Sequence, residues 1–354
     1  MVGTSGRKAA VLVTGGAGYI GSHAVLALAD AGWQVVVLDN LVTGFRSAVD
    51  RRACFVEGDV SDQRLVRNIL LYHDVCAIMH FAGSVVVPES VSDPLKYYRN
   101  NTAASTALLE AAIACRVPHF IFSSTAATYG EPAVTRVSEA MPTCPINPYG
   151  RSKLMIEQIL ADSAAAYPIN YCALRYFNVA GADPQGRAGQ STRGATHLIK
   201  VCVEAALGLR KAVEIFGSDF NTSDGTGVRD YIHVTDLANA HLSALDLLRA
   251  DPFTSHTMNC GYGRGFSVLE VLDAVERVAG RRIERIFRAR RPGDPAALIA
   301  DNTLIRTRTG WTGQHQELDE IVRTAFDWER HLQTTRQDQM IASQPTLVGL
   351  QTTP

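Results

Sequence analysis

The sequence has almost no net charge and no apolar run long enough to cross a membrane. Its 34 Lys and Arg residues nearly balance its 35 Asp and Glu residues, which leaves a net charge of −1. A protein with so little net charge has no overall field that attracts nucleic acid or an anionic membrane surface. No apolar run approaches the roughly 18–20 residues that a transmembrane helix requires. We therefore expect neither nucleic acid nor a membrane as a partner.

Paired cysteines are also missing. The seven cysteines, an odd number with no CxxC pair, stand at positions 54, 76, 115, 144, 172, 202 and 260. Disulfide frameworks and zinc sites usually need an even number or close pairs, so this pattern indicates small core residues in a reducing compartment and no metal site. The run after Lys8 resembles a signal peptide but breaks at Gly15 and Gly16, so we expect a cytoplasmic protein.

The composition of the 354 residues, 46% hydrophobic and 19% charged, is typical of a globular protein with a substantial core. In the first half, short apolar runs alternate with segments of helical periodicity. The predicted strands are Ala9–Thr14, Gln34–Leu38, Cys54–Glu57, Ala77–Phe81, His119–Ser123 and Tyr171–Leu174, and the predicted helices include Gly18–Ala31, Asp62–Leu71, Tyr97–Cys115 and Tyr149–Ala165. Apolar strands separated by helices predict an α/β protein with a doubly wound, Rossmann-type parallel sheet.

Beyond about residue 178 the pattern changes to Gly-, Asp- and Thr-rich loops. Isolated helices are predicted at Thr196–Leu209, Thr235–Leu248, Val268–Gly280 and Glu317–Arg330. We therefore predict a first domain over residues 1–178 and a smaller α/β ligand-binding lobe over residues 179–333, some segments of which return to the first domain. Residues 334–354 lack periodicity, which predicts a disordered tail.

A glycine-rich turn follows the first predicted strand. Gly15, Gly18 and Gly21 give the spacing GxxGxxG before an apolar helix. Glycines there let the backbone approach a pyrophosphate, while the helix N-terminus offers N–H groups to its oxygens. Asp39 ends the second strand, where its carboxylate can accept hydrogen bonds from a ribose and would repel a 2′-phosphate. The two features predict an NAD site, although Asp39 could also be an ordinary turn residue or helix cap.

A second motif, YxxxK, places Tyr149 and Lys153 on one face of a predicted helix. Tyrosine has a pKa near 10 and is a poor base at neutral pH. A nearby ammonium and the positive nicotinamide of a cofactor are expected to lower this pKa by about three units, or roughly 4 kcal/mol. Thr125, at the end of a buried strand, offers a hydroxyl that can share the reacting oxygen. YxxxK alone could be an exposed helical pair; with the other motifs it predicts a catalytic site.

These motifs and several longer segments resemble the UDP-glucose 4-epimerase family of extended short-chain dehydrogenases/reductases. The segments include VTGGAGYIGSH, PYGRSKLMIEQIL, LRYFNVAGADP, GTGVRDYIHVTDLA and RRPGDPA. The similarity runs from about Val11 to Trp328. GTGVRDYIHVTDLA is the most diagnostic of them, because general reductases lack it.

The resemblance implies a role for each matching position. Tyr149 is the expected base, Lys153 its partner and Thr125 the catalytic hydroxyl. The positions expected to contact NAD are Gly15, Gly18, Tyr19, Ile20, Gly21, Asp39, Asn40, Asp59, Val60, Phe81, Ala82, Gly83, Asn100, Ser123, Tyr149, Lys153 and Phe177. Those expected to hold a UDP-sugar are Thr125, Tyr149, Asn178, His197, Leu198, Ile215, Phe216, Gly217, Arg229, Arg291, Asp294 and Leu298.

The sequence departs from the family pattern in a few places. His197 stands where some relatives have Asn, and Val85 stands where many have a Lys near the cofactor. A 4,6-dehydratase needs an acid/base pair directly after the catalytic hydroxyl, where this chain has Ala126 and Ala127. The resemblance therefore implies an epimerase rather than a dehydratase. Leu298 matches the position that limits the size of the sugar C2 substituent.

The activity that the resemblance implies is interconversion of UDP-glucose and UDP-galactose by transient C4 oxidation with tightly bound NAD. UDP-N-acetylhexosamines and UDP-pentoses are alternative substrates, and a reductase with exchanging NAD(P)H is an alternative enzyme. A non-catalytic, NAD-sensing regulatory protein is the alternative from another class, since fold does not fix function. The family resemblance also implies a homodimer formed through the helices near Tyr97–Cys115 and Tyr149–Ala165.

Overall fold

The computed structural model of the chain describes residues 9–192, 194–291 and 293–342. Its strands are β1 (Ala10–Thr14), β2 (Gln34–Asp39), β3 (Cys54–Glu57), β4 (Val75–His80), β5 (His119–Thr125), β6 (Arg136–Val137), β7 (Asn170–Tyr176), β8 (Asn178–Ala180), β9 (Val213–Phe216), β10 (Val228–His233), β11 (His256–Cys260), β12 (Gly265–Ser267), β13 (Arg285–Arg288) and β14 (Ala297–Ala300). Its helices are α1 (Tyr19–Asp30), α2 (Gln63–Tyr72), α3 (Val87–Ser92), α4 (Pro94–Tyr97), α5 (Ala104–Ala114), α6 (Pro148–Ala166), α7 (Leu198–Ala206), α8 (Val234–Ala250), α9 (Val268–Ala279), α10 (Thr303–Thr309) and α11 (Leu318–Ala342). A π-helical segment over Tyr98–Ala103 joins α4 to α5.

The main sheet has seven parallel strands in the order β11-β7-β5-β4-β1-β2-β3. Alternate residues of β1 pack into two separate cores: Val11 and Val13 join one cluster, and Ala10 and Leu12 join the other. Because successive side chains of a strand point to opposite faces, both faces of the sheet are covered. The predicted doubly wound α/β fold is confirmed.

The strand order reverses direction between β1 and β4, which are neighbours in the sheet. Loops that leave the carboxyl ends of the strands diverge at such a point and leave a crevice for a ligand. The glycine-rich turn follows β1, and Asp39 ends β2. Thr125 ends β5 at the same edge. Parallel pairing thus brings segments far apart in sequence to one side of the sheet.

The second half of the chain contains more strands than its loop-like sequence suggested. β12, β10, β14 and β6 form a second sheet, β8 also pairs with β10, and β9 pairs with β13. Each of these strands has two to six residues, which is too short for a clear pattern. β11 returns to the edge of the main sheet. The division of the chain at residue 178 stays a prediction.

The predicted tail is partly wrong. Helix α11 continues to Ala342, so residues 334–342 are helical. No Gly or Pro occurs between residues 318 and 342, and such a segment has nothing that stops a helix. The rest of the predicted tail, residues 343–354, lies outside the described residues.

Among the described residues, no helix combines the length and hydropathy needed to cross a membrane. Over the same part of the chain, no group of three or more His, Cys, Asp or Glu side chains could hold a metal ion. The seven cysteines are free thiols, and Cys172, Cys202 and Cys260 are buried.

Candidate active site

The glycine-rich turn leaves no room for side chains. Gly15 has a φ of +71°, and a Cβ atom on it would lie 2.6 Å from the amide nitrogen of Ala82. A Cβ atom on Gly21 would lie 2.2 Å from the carbonyl oxygen of Gly15. Helix α1 begins at Tyr19 after Gly18, and no side chain caps its N-terminus. A tight glycine turn before an uncapped helix end fits the pyrophosphate of a dinucleotide.

Asp39 lies against this turn. Its Oδ2 accepts a hydrogen bond from the backbone N–H of Ala17 at 2.9 Å, and its Oδ1 accepts one from Leu41 at 2.8 Å. A carboxylate has about four acceptor positions, so both oxygens can still receive ribose hydroxyls. Asn40 Nδ2 donates to Asp59 Oδ2 at 3.0 Å, which joins the ends of β2 and β3. These three positions, expected to face the adenosine half of NAD, therefore lie together.

The remaining residues expected around the cofactor follow the same strand ends. Ile20 is the second residue of α1, and Val60 is buried just after β3. The Phe81 ring, after β4, lies 4.7 Å from the buried His241 ring. Phe177 is buried after β7.

The turn after β4 depends on a residue that the sequence reasoning missed. Asn101 is buried; its Oδ1 accepts a hydrogen bond from Ser84 N at 2.7 Å, and its Nδ2 donates to Ser84 O and to Ser152 Oγ, both at 3.0 Å. A Cβ atom on Gly83 would lie 2.9 Å from the Asn101 Oδ1 atom. Asn100, the residue singled out from the sequence, is exposed and donates to Ser84 Oγ at 3.2 Å. The sequence shows two adjacent asparagines, Asn100 and Asn101, but only the structure shows that Asn101 is the buried one.

Helix α6 positions the predicted base. Asn147 caps the helix by accepting a hydrogen bond from Gly150 N at 2.9 Å, and Pro148 begins it. Tyr149 is consequently the second helical residue, and its side chain is buried. Its phenol lies near the hydroxyl of Thr125 at the end of β5, close enough for that hydroxyl to affect the pKa of the phenol. The structure thus brings the predicted base and the predicted hydroxyl together.

Lys153 lies one turn further along α6 and is also buried. Its ammonium donates to the carbonyl oxygen of Ser123 at 3.0 Å and lies 4.8 Å from the centre of the Phe122 ring. The Ser123 hydroxyl donates to Tyr176 OH at 3.0 Å. Tyr176, which the sequence reasoning did not single out, therefore belongs to this cluster. Lys153 is fixed through β5 rather than through a hydrogen bond to Tyr149.

The protein groups alone do not lower the pKa of Tyr149, so the prediction of a lowered pKa, which includes the charge of bound NAD, stays a prediction. Burial raises the pKa of the Tyr149 phenol, and the nearby Thr125 hydroxyl acts in the opposite direction without overcoming it. Burial also lowers the pKa of Lys153 to about 8, against the attraction of Glu157. Desolvation disfavours the charged form of both groups. A lowered tyrosine pKa therefore needs a further positive charge beside the phenol.

A buried histidine completes the edge near Lys153. His80, the last residue of β4, bonds through Nδ1 to Thr14 Oγ1 at 2.6 Å and through Nε2 to Ser105 Oγ at 2.7 Å. Burial and the Lys153 cation lower its pKa to about 3. The imidazole is consequently neutral and adds no charge to the site.

Apart from Thr125 and Tyr149, the residues expected to hold a UDP-sugar follow β7 in the chain, on or beside β8, α7, β9, β10 and β14. Asn178, His197 and Leu198 line one cavity, together with Tyr231 and Trp328. Ile215 is buried in β9, and a Cβ atom on Gly217 would lie 2.4 Å from the Phe220 ring. His197 Nδ1 lies 2.7 Å from Gln190 Nε2.

Both predicted arginines already have partners. The guanidinium of Arg229 pairs with Asp294 and donates to Val228 O at 2.7 Å. The guanidinium of Arg291 lies 3.8 Å from the centre of the Phe216 ring. An anionic substrate would have to compete with these contacts.

Leu298 faces Arg229 in the register of β14 and β10. Its side chain is buried in a cluster with Phe177, Ala126 and Tyr129. Ala126 directly follows Thr125 in the chain. Leu298 is thus close to the predicted catalytic hydroxyl, although the same packing would suit a simple core residue.

Known NAD-dependent epimerases are similar to this chain over most of its length. Residues 11–261 match the model of the NAD dependent epimerase/dehydratase family. A UDP-glucose 4-epimerase of Azospirillum brasilense is 54% identical over 323 residues, which are 91% of this chain and 92% of that protein.

Solved structures agree with this match. The UDP-glucose 4-epimerase from Brucella ovis in complex with NAD is 46% identical, with a TM-score of 0.88 and coverage of 90% of this chain and 98% of that one. The UDP-glucose 4-epimerase from Bifidobacterium longum in complex with NAD+ and UDP is 38% identical, with a TM-score of 0.86 and coverage of 91% and 98%. The similarity extends over both halves of the chain, so the chain belongs to the UDP-glucose 4-epimerase family of NAD-dependent enzymes.

Proposed function

We propose that this protein is a UDP-sugar 4-epimerase that interconverts UDP-glucose and UDP-galactose through transient oxidation at C4. The observation that carries the proposal is that the buried side chains of Tyr149 and Thr125 lie next to each other, with Lys153 fixed one helical turn away. This pair lies at the sheet edge that also carries the glycine-rich turn. A base and a hydroxyl beside a dinucleotide-type turn suit oxidation of a carbon that bears a hydroxyl group.

Each residue of the pair has a separate task in this proposal. Tyr149 takes the proton of the sugar 4-hydroxyl and later returns it, while Thr125 orients the same oxygen. Lys153 stabilises the phenolate. Bound NAD+ would supply the hydride acceptor and donor for C4 and a positive charge beside the phenol. That positive charge would lower the pKa of Tyr149, whereas burial raises it.

The glycine-rich turn and Asp39 are the residues that would hold the pyrophosphate and adenosine ribose of NAD. Arg229 and Arg291 would hold the diphosphate of the substrate, because guanidinium groups neutralise paired phosphates with bidentate geometry. In this arrangement the diphosphate replaces Asp294 as the partner of Arg229. The 4-keto sugar then turns about its diphosphate linkage and presents its other face for reduction.

The proposal extends to assembly and location. We expect a homodimer that acts in cytoplasmic galactose metabolism. The expected interface is formed by α6 and by α5 with the π-helical segment before it. Exposed apolar side chains support this choice: Met155 on α6, and Val91 and Leu95 on the helices just before the π-helical segment.

We predict that Tyr149→Phe lowers kcat by at least about 100-fold, because proton transfer by a positioned side chain contributes about 10²–10⁴-fold. UDP binding should change little, because the proposed nucleotide contacts lie on other elements. Epimerisation of UDP-galactose and calorimetric titration with UDP measure the two effects. Tyr171→Phe, which removes another partly buried hydroxyl, on β7, is the matched control and should keep its activity. A Tyr149→Phe enzyme with a tenth of normal activity would rule out Tyr149 as the base.

We predict that the protein recovers activity with NAD and not with NADP after unfolding and refolding with either cofactor. The Asp39 carboxylate beside the turn would repel a 2′-phosphate at a cost of several kcal/mol. Asp39→Asn keeps an acceptor oxygen for the N–H of Ala17 and removes the charge, so it should reduce the preference for NAD over NADP. Equal recovery of the unmodified protein with both cofactors would contradict this role of Asp39.

We predict that Leu298 limits the C2 substituent of the sugar. Leu298→Ser should raise kcat/KM for UDP-N-acetylglucosamine relative to UDP-glucose, and Leu298→Tyr should lower it. A clash of one or two methylene groups amounts to about 1–3 kcal/mol, so the ratio should change by roughly ten- to two-hundredfold. If Leu298 is only a core residue, both substrates will lose activity in parallel, the melting temperature will fall, and the ratio will stay constant.

A further inference from the structure

Glu157 is a buried carboxylate one helical turn after Lys153 on α6, and neither the motif nor the proposed chemistry uses it. The side chain is 6% exposed. Arg175 of β7 donates to Glu157 Oε2 at 2.6 Å through Nη2 and to Oε1 at 3.0 Å through Nε. The hydroxyl of Ser124 also donates to Glu157 Oε1. The carboxylate is thus bound to two strands of the main sheet.

The Ser124 contact connects Glu157 to the proposed active site. Ser124 lies in β5 between Ser123, whose carbonyl oxygen accepts a hydrogen bond from the Lys153 ammonium, and Thr125, whose hydroxyl lies near the Tyr149 phenol. Any shift of Ser124 relative to α6 would move both of these contacts. By accepting the hydrogen bond from Ser124, Glu157 fixes the distance between β5 and α6 at the residue between Ser123 and Thr125.

Arg175 is itself held in place. Its Nη1 donates to Tyr129 OH at 3.1 Å, and that hydroxyl donates to Asn259 Oδ1 at 2.7 Å. Asn259 Nδ2 donates to Val137 O at 2.9 Å. Each charged group therefore has several partners, as buried ion pairs require. Because Arg175 is held by these other contacts, a movement of the Glu157 carboxylate would break the ion pair between them. The ion pair therefore holds the carboxylate in one place.

We propose that Glu157 is a positioning residue for the proposed epimerase reaction: it holds the end of β5 against α6 and supplies the negative charge that balances the Lys153 ammonium. The inference depends on the proposed function, because it assigns Glu157 a role in that reaction. Opposite charges four residues apart on one helical face attract each other, and burial strengthens the attraction.

The charges around Lys153 agree with this role. Burial lowers the pKa of Lys153, and the Glu157 carboxylate raises it. Arg175 faces the same carboxylate from β7, and His80 on β4 is neutral. On α3 and α4, Glu89 pairs with Lys96, so these two charges largely cancel. Tyr97, also on α4, packs edge-on to Tyr149 with 6.4 Å between the ring centres and donates to Glu89 and Val86 O.

Removal of the Glu157 charge should therefore lower the pKa of Lys153 further. Lys153 would lose its proton at a lower pH, and the alkaline limb of the kcat profile would move in the same direction. KM for UDP-galactose should change little, because the residues proposed to hold the nucleotide lie elsewhere. If Glu157 had only a structural role, removal of its charge would lower the melting temperature but would change neither the pKa of Lys153 nor the alkaline limb of the kcat profile.

The direct test is an NMR titration of the holoenzyme labelled with carbon-13 at lysine Cε. The chain has five lysines, at positions 8, 96, 153, 200 and 211, so the spectrum is simple, and Lys153→Met identifies the Lys153 signal. In Glu157→Gln, which keeps an acceptor for the Ser124 hydroxyl, the Lys153 midpoint should fall by about one unit or more, a tenfold weaker affinity for the proton. An unchanged midpoint would overturn the proposal.

Two further variants control the test. Glu276→Gln removes another buried carboxylate that pairs with arginines, on α9 and outside the proposed site, and it should leave the Lys153 titration unchanged. If Glu157→Gln does not fold because Arg175 is left unpaired, Glu157→Gln with Arg175→Met removes both charges and should still lower the Lys153 midpoint. If the unmodified protein does not interconvert UDP-glucose and UDP-galactose, the proposed function fails, whereas the titration still decides whether Glu157 balances Lys153.

Discussion

The buried ammonium of Lys153 is the feature on which the site depends. A lysine in the interior loses much of its attraction for a proton, and burial lowers the pKa of Lys153 to about 8. The surrounding groups limit that loss: the Ser123 carbonyl oxygen accepts a hydrogen bond, and the Phe122 ring offers its face. The same interior raises the pKa of Tyr149. A low dielectric environment thus strengthens the electrostatic interactions of every charge that the chemistry uses. It also raises the free-energy cost of keeping each group charged.

The parallel sheet makes this arrangement possible. Because all strands of the main sheet run in one direction, the glycine turn after β1, Asp39 at the end of β2 and Thr125 at the end of β5 meet at one edge. Helix α6 then places Tyr149 and Lys153 against β5, and the short strands of the second half add Arg229 and Leu298 from one register pair. The proposed substrate site lies between these two groups of elements.

The sequence predicted the features that depend on periodicity and motif, and it missed those that depend on contacts between distant elements. Apolar strands, helices and strand-end residues followed from the pattern, so the fold could be expected, and both Tyr149 and Thr125 were singled out from their motifs. The partner of Lys153 could not, because the carbonyl oxygen of Ser123 leaves no trace in the side-chain pattern. Asn101 was overlooked beside Asn100 for the same reason, since burial alone separates them. Residues 334–342 were expected to be disordered because the segment lacks an apolar face, yet its residues are compatible with a helix that begins at Leu318.

In the proposed reaction the enzyme oxidises and reduces the same carbon without releasing the hydride. The most direct measurement uses UDP-galactose that carries deuterium at C4, in ordinary water, with the protein as purified and no added cofactor. We predict UDP-glucose that retains the deuterium at C4, because in the proposed reaction the hydride taken from C4 returns to C4 of the same bound sugar. UDP-glucose with ordinary hydrogen at C4, or deuterium in NADH released to solution, would contradict the claim.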